Sequence, residues 1–324
     1  MLKAQDFKKR EKERSNRVYD MLLNSFGNSV QNFLKDDDVI EIMLNPDGRL
    51  WIDRLSCGRV FTGENIAVQD AERIIKIISS EMDTVCNADN PTLSAELPGS
   101  GSRFQGFLPP VVKNATFTIR KKAIMVFNLE DYVKQGVITS KGFRIIKNAV
   151  KSKKNILIAG GTGSGKTTFA NAILDEIGKS KDRIVLIEDT LELQCNAEDK
   201  VSLKTNDNVS MKDLLKSTMR LRPDRIIVGE VRGGEALTLL KAWNTGHPGG
   251  LSTVHANGAK ESLIRIEQLI QEAISGIPRS LIADAINLIV YIKREDRGRK
   301  IEEIIEVEGC DSIKNEYLLK VLYP

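Results

Sequence analysis

The sequence predicts an α/β protein with an N-terminal α+β domain over about residues 1–135. A second domain follows over 136–324, with a mainly parallel sheet. Three observations carry this. The chain has 324 residues, and at roughly 150 residues per domain that is about two domains, each able to bury a core. Up to about residue 122, short apolar–polar alternations are separated by Pro- and Gly-containing turns. After about residue 139, short apolar runs alternate with helical stripes, the pattern of a parallel sheet covered on both faces. The break falls in 128–140, a polar stretch that includes Gly136.

In the first domain, Val18, Met21, Leu22, Phe26, Val30, Phe33 and Leu34 recur at helical spacing and predict a helix over 17–34. Val39–Leu44 and Arg49–Arg54 flank Asn45-Pro46-Asp47-Gly48, a strand–turn–strand signature of a hairpin. Ala71, Ile74, Ile75, Ile78 and Met82 mark a second helix over 70–82. In Thr116–Arg120, Phe117 and Ile119 point one way and Thr118 and Arg120 the other, as in a half-buried strand.

In the second domain, Asn155–Ala159, Arg183–Ile187, Arg225–Val228 and Gly250–Val254 read as buried strands. The helices between them are expected at Lys166–Ile177, Met211–Leu221, Gly234–Asn244 and Glu261–Ala273. Ser210 with Asp213 forms a capping box for the second of these. Late strands are expected at Leu288–Lys293 and Ile301–Glu308.

The strongest chemical signal is Gly160-Gly161-Thr162-Gly163-Ser164-Gly165-Lys166-Thr167, followed by Thr168. It matches G-x-x-x-x-G-K-[ST] and lies between a strand and a helix, the context a phosphate-binding loop requires. Glycines let backbone N–H groups curl around phosphates, and the helix N-terminus adds partial positive charge. Lys166 neutralises the β/γ oxygens, and the Thr167 hydroxyl can ligate Mg²⁺. The guanine-specifying N-K-x-D pattern is absent from the chain, which favours ATP.

Two strands end in acids. Arg183–Ile187 runs into Glu188-Asp189, with Glu192 three residues on, and Arg225–Val228 runs into Gly229-Glu230. Ligands of open α/β sheets sit beyond the strands' carboxyl ends, so these acids are expected to converge with the loop. Phosphoryl transfer to water needs a carboxylate to orient or deprotonate the water and another group at the metal's water shell. Glu230 is assigned the first role and Glu188 the second. The chain's two histidines, His247 and His255, both lie within Gly246–Ala256. His255 ends a predicted strand, where an imidazole can donate to a phosphate or relay nucleotide state. Zinc is not expected, because no cysteine or further histidine accompanies them.

In this order, these motifs resemble those of the secretion-system traffic ATPases of the type II/type IV secretion family, and most closely its conjugal-transfer members. The loop matches the family's Walker A. Ile187–Glu192 resembles its Asp box, Leu221–Arg232 its atypical Walker B, and Gly246–Ala256 its His box. Glu41–Asp53 and Gly101–Pro110 carry the conjugal-transfer likeness. The resemblance covers about 17–310. It implies a RecA-like second domain and ATP with Mg²⁺, the metal held by Thr167 and, partly through water, by Glu188. It further implies a homo-hexamer working with inner-membrane and other ATPase components at the cytoplasmic face of the inner membrane. It gives Arg103 and Arg120 a role at the nucleotide phosphates and makes Arg232, Asp189 and Glu192 further candidates. A type IV pilus or type II secretion motor is the alternative within the family. A nucleotide-gated scaffold with little hydrolysis is the alternative of another class.

Composition sets the remaining bounds. A 41% hydrophobic, 28% charged chain is not intrinsically disordered as a whole. No apolar stretch approaches the ~18 residues of a membrane span, and the polar N-terminus is not a secretory signal. Cys57, Cys86, Cys195 and Cys310 lie far apart, as expected of core fillers in a reducing cytosol. The net charge of +4 gives no reason to expect sequence-specific nucleic-acid binding. Residues 1–17 hold seven Lys/Arg, a leader read either as a membrane-surface contact or as a solvated tail.

Overall fold

In the computed structural model, which describes residues 24–82, 84–97, 100–122, 127–295, 298–311 and 313–324, the hairpin stands where the sequence puts it. Strand β1 (Val39–Leu44) pairs antiparallel with β2 (Arg49–Arg54), with Leu44 opposite Leu50 and Ile42 opposite Ile52. The turn is closed by Gly48 N donating to Asn45 O at 2.9 Å. Gly48 has φ +84°, the left-handed region that glycine enters without steric cost.

These strands belong to the first of two units, Met1–Ile124 and Met125–Pro324. Its sheet adds β3 (Gly58–Asn65), β4 (Thr92–Glu96), β5 (Arg103–Phe107) and β6 (Thr116–Arg120) in the order β3-β2-β1-β6-β5-β4. One face is apolar: Ile42, Leu44, Leu50, Ile52, Phe104, Phe117 and Ile119 share a core with Phe26 and Val30 of helix α1 (described over 24–35) and Ile74, Ile75 and Ile78 of α2 (Val68–Glu81). The start of the expected first helix, 17–23, and the basic leader 1–17 lie outside the described residues. Strand β3 was not legible: it alternates half-buried and exposed positions along the sheet edge and buries no residue fully.

The second unit begins with two helices that the polar texture of 128–140 had hidden, α3 (Leu129–Lys134) and α4 (Ser140–Lys151). Asn128 caps α3 in a capping box with Asp131. Leu129, Tyr132, Ile146, Ala149 and Val150 belong to the second unit's core, so this segment packs where the sequence suggested a break at 135/136.

The parallel strands are β7 (Ile156–Gly160), β8 (Ile184–Glu188), β9 (Lys200–Lys204), β10 (Arg225–Val228), β11 (Leu251–His255) and β12 (Leu288–Glu295). Two antiparallel strands, β13 (Gly298–Asp311) and β14 (Glu316–Tyr323), complete the order β14-β13-β12-β7-β11-β10-β8-β9. Helices cover both faces. Ile156 and Ile158 meet the core that includes α3, α4 and α5 (Lys166–Ile177). Leu157 and Ala159 meet the core of α6 (Met211–Thr218), α7 (Glu235–Asn244), α8 (Ala259–Gln271) and α9 (Arg279–Ala285). Every residue of β7, β8 and β10 is therefore buried.

The expected helix through Leu221 stops at Thr218, continues as a 3-10 turn over Met219–Leu221, and ends where Arg222 turns left-handed at φ 53°. The edge strands β9 and β14 and the short helix α9 were not foreseen; the edge strands alternate exposed and half-buried residues over most of their length. Among the cysteines, Cys86 and Cys195 are buried as expected, whereas Cys57 is exposed and Cys310 half-buried. Among the described residues, no helix is long and apolar enough to cross a membrane.

Candidate active site

The loop 160–167 joins β7 to α5 at the carboxyl edge of the parallel strands. Gly163 and Gly165 adopt φ +70° and +95°, which a side chain would strain. A Cβ on Gly160 would lie 2.4 Å from Ile292 O and 2.5 Å from Ser164 Oγ, so only glycine lets the loop pass this close to β12. Gly165 is the N-cap of α5 and offers no side-chain cap. The first-turn N–H groups of Lys166, Thr167 and Thr168 thus point out of the helix without intrahelical acceptors, an arrangement that suits an anion. Ser164 Oγ is buried and without a hydrogen-bond partner. This donor set fits a polyphosphate.

Lys166 is 7% exposed. Its ammonium donates to Gly160 O and Gly161 O, each at 2.9 Å, and stands 3.3 Å from His255 Nδ1. An ammonium only donates, so in this contact Nδ1 is the accepting atom. Nε2 lies 2.9 Å from Glu230 Oε1. Lys166, His255 and Glu230 thus stand in line at contact distance, with Glu230 Oε1 making no aligned hydrogen bond to the ring.

The acids divide by environment. Glu230 Oε2 is held by Arg232 Nη2 at 2.7 Å and Nε at 2.9 Å. Arg232 Nη1 also reaches Asp189 Oδ2 at 3.6 Å, and Asp189 Oδ1 accepts from Thr205 Oγ1 at 2.9 Å. Arg232 joins the two acidic strand ends, and burial, which works against its charge, is outweighed by these carboxylates, so its pKa is raised. Glu188 is 4% exposed, and its Oε1 accepts from the backbone N–H groups of Glu192 and Leu193 at 2.9 and 2.8 Å. One oxygen of Glu188 therefore anchors the loop after β8. Glu192 enters through its backbone: its carbonyl also accepts from Asn171 Nδ2 of α5 at 3.2 Å.

Two expectations part company here. His255 ends β11 beside Gly160 of β7, its register partner. His247 precedes β11, at the opposite end of that strand, where Nδ1 lies 2.8 Å from Pro223 O. The structure does not bring His247 to the loop, because the short strand Leu251–His255 separates the two imidazoles. Arg103 and Arg120 are register partners on β5 and β6 of the first unit, and Arg120 Nε lies 3.8 Å from Glu41 Oε1.

Sequence reading missed three contributors. Thr253, buried in β11, donates to Gly229 O at 2.9 Å, and its carbonyl accepts from Val231 N at 3.0 Å. These bonds bracket Glu230. The signal was a polar pair, Ser252-Thr253, inside an otherwise apolar run. Arg294 and Arg299, on β12 and β13, border the loop at Gly163 and Gly165; their signal was a basic cluster between two late strands.

A family model described as "Type II/IV secretion system protein" matches residues 86–317. The chain is 50% identical over 295 residues to the conjugal transfer protein TrbB of Rhizobium radiobacter, covering 90% of this chain and 91% of that one. It is 31% identical over 322 residues to the type IV secretion system protein VirB11 of Bartonella quintana, covering 85% and 90%. The X-ray structure of the Legionella pneumophila ATPase DotB superposes with TM-score 0.62 at 19% identity, covering 84% and 78%. That last likeness is one of fold, an N-terminal domain followed by a RecA-like domain. By family match and by half-identity to a conjugal-transfer protein, the chain belongs to the type II/IV secretion system protein family, as its motifs led us to expect.

Proposed function

We propose that this chain is a Mg²⁺-dependent ATPase that powers conjugative transfer or type IV secretion. In this reading it works as a homo-hexamer with other components of that machine, at the cytoplasmic face of the inner membrane. The observation that carries the reading is the line from Lys166 through His255 to Glu230 at the mouth of the phosphate loop. Lys166 neutralises charge on the β/γ oxygens. Glu230 orients or deprotonates water, with Arg232 fixing its carboxylate. Mg²⁺ takes phosphate oxygens and waters and needs only one or two protein ligands; Thr167 and Glu188 are the residues that would supply them. His255 bridges the phosphate end and the base, so its state follows that of the nucleotide. The identity to a conjugal transfer protein supports the assignment of the output.

The test is ATP turnover and nucleotide binding on the purified full chain. Lys166→Ala removes charge stabilisation worth several kcal/mol in the transition state, and turnover should fall by about 10²–10³-fold. Glu230→Gln keeps shape and should leave ATP affinity near the parent value while turnover falls by at least about 10²-fold. Parent-level hydrolysis by Lys166→Ala would rule out this loop. Lost binding with intact turnover in Glu230→Gln would move the base to Glu188. Turnover of Arg103→Ala and Arg120→Ala, measured beside these, tests the role the family resemblance gives the two arginines, and sedimentation with ATP and Mg²⁺ tests the hexamer.

A further inference from the structure

The β12–β13 hairpin runs along one flank of the phosphate loop and places two guanidinium groups there. A Cβ on Gly163 would stand 3.6 Å from Arg294 Nη1, and one on Gly165 would lie 2.6 and 2.7 Å from Cδ and Nε of Arg299. Arg294 and Arg299 face each other across the hairpin register, so they act at the loop as a pair. The strand order fixes which flank this is. With β12 and β11 on either side of β7, the arginines approach from one side, and Glu230 and His255, at the ends of β10 and β11, from the other.

That separation divides the labour. The Glu230–His255 side is where the γ-phosphoryl group meets its water in the reading above. A triphosphate seated on the loop with its γ end there sends its α and β groups past Gly163 and Gly165 toward the N-terminus of α5. Two guanidinium groups beside that path present planar donors matched to phosphate oxygens. We propose that Arg294 and Arg299 contact the α- and β-phosphates of bound nucleoside di- and triphosphates and set nucleotide affinity without acting on γ-phosphoryl cleavage. This rests on the nucleotide reading of the loop.

The experiment measures ADP and ATP affinity, KM and kcat for the full chain with Arg294→Gln and Arg299→Gln, singly and together, beside Lys166→Ala. Contacts made equally in ground and transition states change KM and leave kcat. The double variant should weaken ADP and ATP binding alike, by about tenfold or more, with kcat within about twofold of the parent. Arg294 is exposed on its strand, so its single variant should fold and show a smaller loss of the same kind. If the Arg299 variant unfolds, Arg294→Lys/Arg299→Lys retains the charges without the planar donors and should bind between the parent and a folded Gln variant. Weakened ATP with unchanged ADP, a fall in kcat at constant KM, or Lys variants binding as poorly as folded Gln variants would each overturn the proposal. If Lys166→Ala loses nucleotide and the arginine variants do not, this inference alone falls; if none of them changes binding, the nucleotide reading falls with it.

Discussion

The two sheets bury their residues by different rules. In β6 of the first unit, Phe117 and Ile119 are buried while Thr116, Thr118 and Arg120 are not. In β7 and β8 of the second unit, every residue is buried. An antiparallel sheet with one covered face can carry polar side chains all along its other face. A parallel sheet covered on both faces leaves few places for them except its strand ends. The second arrangement concentrates chemistry: Lys166, Glu188, Glu230 and His255 all stand at or just past the carboxyl ends of strands. The first disperses it, and Arg103 and Arg120 look, by position, like any other residue on the open pleat.

The largest effects should come from breaking the few polar groups that the second unit does bury. Arg225, 3% exposed, donates to Asp182 Oδ2 at 2.7 Å and to the carbonyls of Gly249 and Val150 at 3.2 Å each. Arg225→Ala removes three hydrogen bonds made by a buried charge, each worth about 1.5–3 kcal/mol, while Lys153 and Ser180 keep the acid partnered; the loss should appear in the unfolding transition of this unit, followed by denaturant. The same contact has a pH signature. Burial alone would raise the Asp182 pKa, but Lys153 and Arg225 outweigh it and hold it at about 2. A depressed carboxyl stabilises above its unfolded value of about 3.9 and loses that contribution as pH falls from about 4 to 2. Acid titration of Asp182→Asn should show a shallower loss over that window than the parent.

Next come the apolar residues, and here the two rules make opposite predictions. In β8, Leu186 belongs to one core and Ile187 to the other. Leu186→Ala and Ile187→Ala should each cost about 2–5 kcal/mol. In β6, Ile119→Ala should cost as much, but Thr118→Ala under about 1 kcal/mol. A large loss at Thr118 would show that the open face of the first sheet is covered after all.

The same contrast explains what was legible. Continuous apolar runs gave β7, β8, β10 and β11 nearly to the residue, and the loop motif gave the site's centre. Clean alternation gave β6, and Pro46-Asp47-Gly48 gave the β1–β2 hairpin. What escaped was held by context rather than pattern. Strands β3, β9 and β14 are edge strands, and edges need little apolar surface. Helix α4 carries a buried stripe of Ile146, Ala149 and Val150 among three lysines and an arginine, which polar texture masked. His247 became a candidate because it shares the Gly246–Ala256 segment with His255, although the expected strand Gly250–Val254 already places the two at opposite ends. Arg294 and Arg299 were invisible as site residues because their approach to the loop depends on β12 lying beside β7, a pairing between segments far apart in the chain.

The smallest stability effect carries the sharpest distinction, and it lies inside β11. Ser252 and Thr253 are both buried, at 0% and 2% exposure. Ser252 Oγ has no hydrogen-bond partner, whereas Thr253 Oγ1 donates to Gly229 O, the residue before Glu230. Burying an unpaired hydroxyl is unfavourable, so Ser252→Ala should be neutral or slightly stabilising and leave turnover alone. Thr253→Val keeps the branched shape and removes one donor, at about 1 kcal/mol. If Glu230 works as the base, its placement depends on that donor, and the loss should appear in kcat more than in stability or in ATP affinity. Rescue by Thr253→Ser, which restores the donor with one methyl fewer, would tie the effect to the hydrogen bond. Equal kcat for Thr253→Val and the parent would mean that Arg232 and His255 position Glu230 without help from β11.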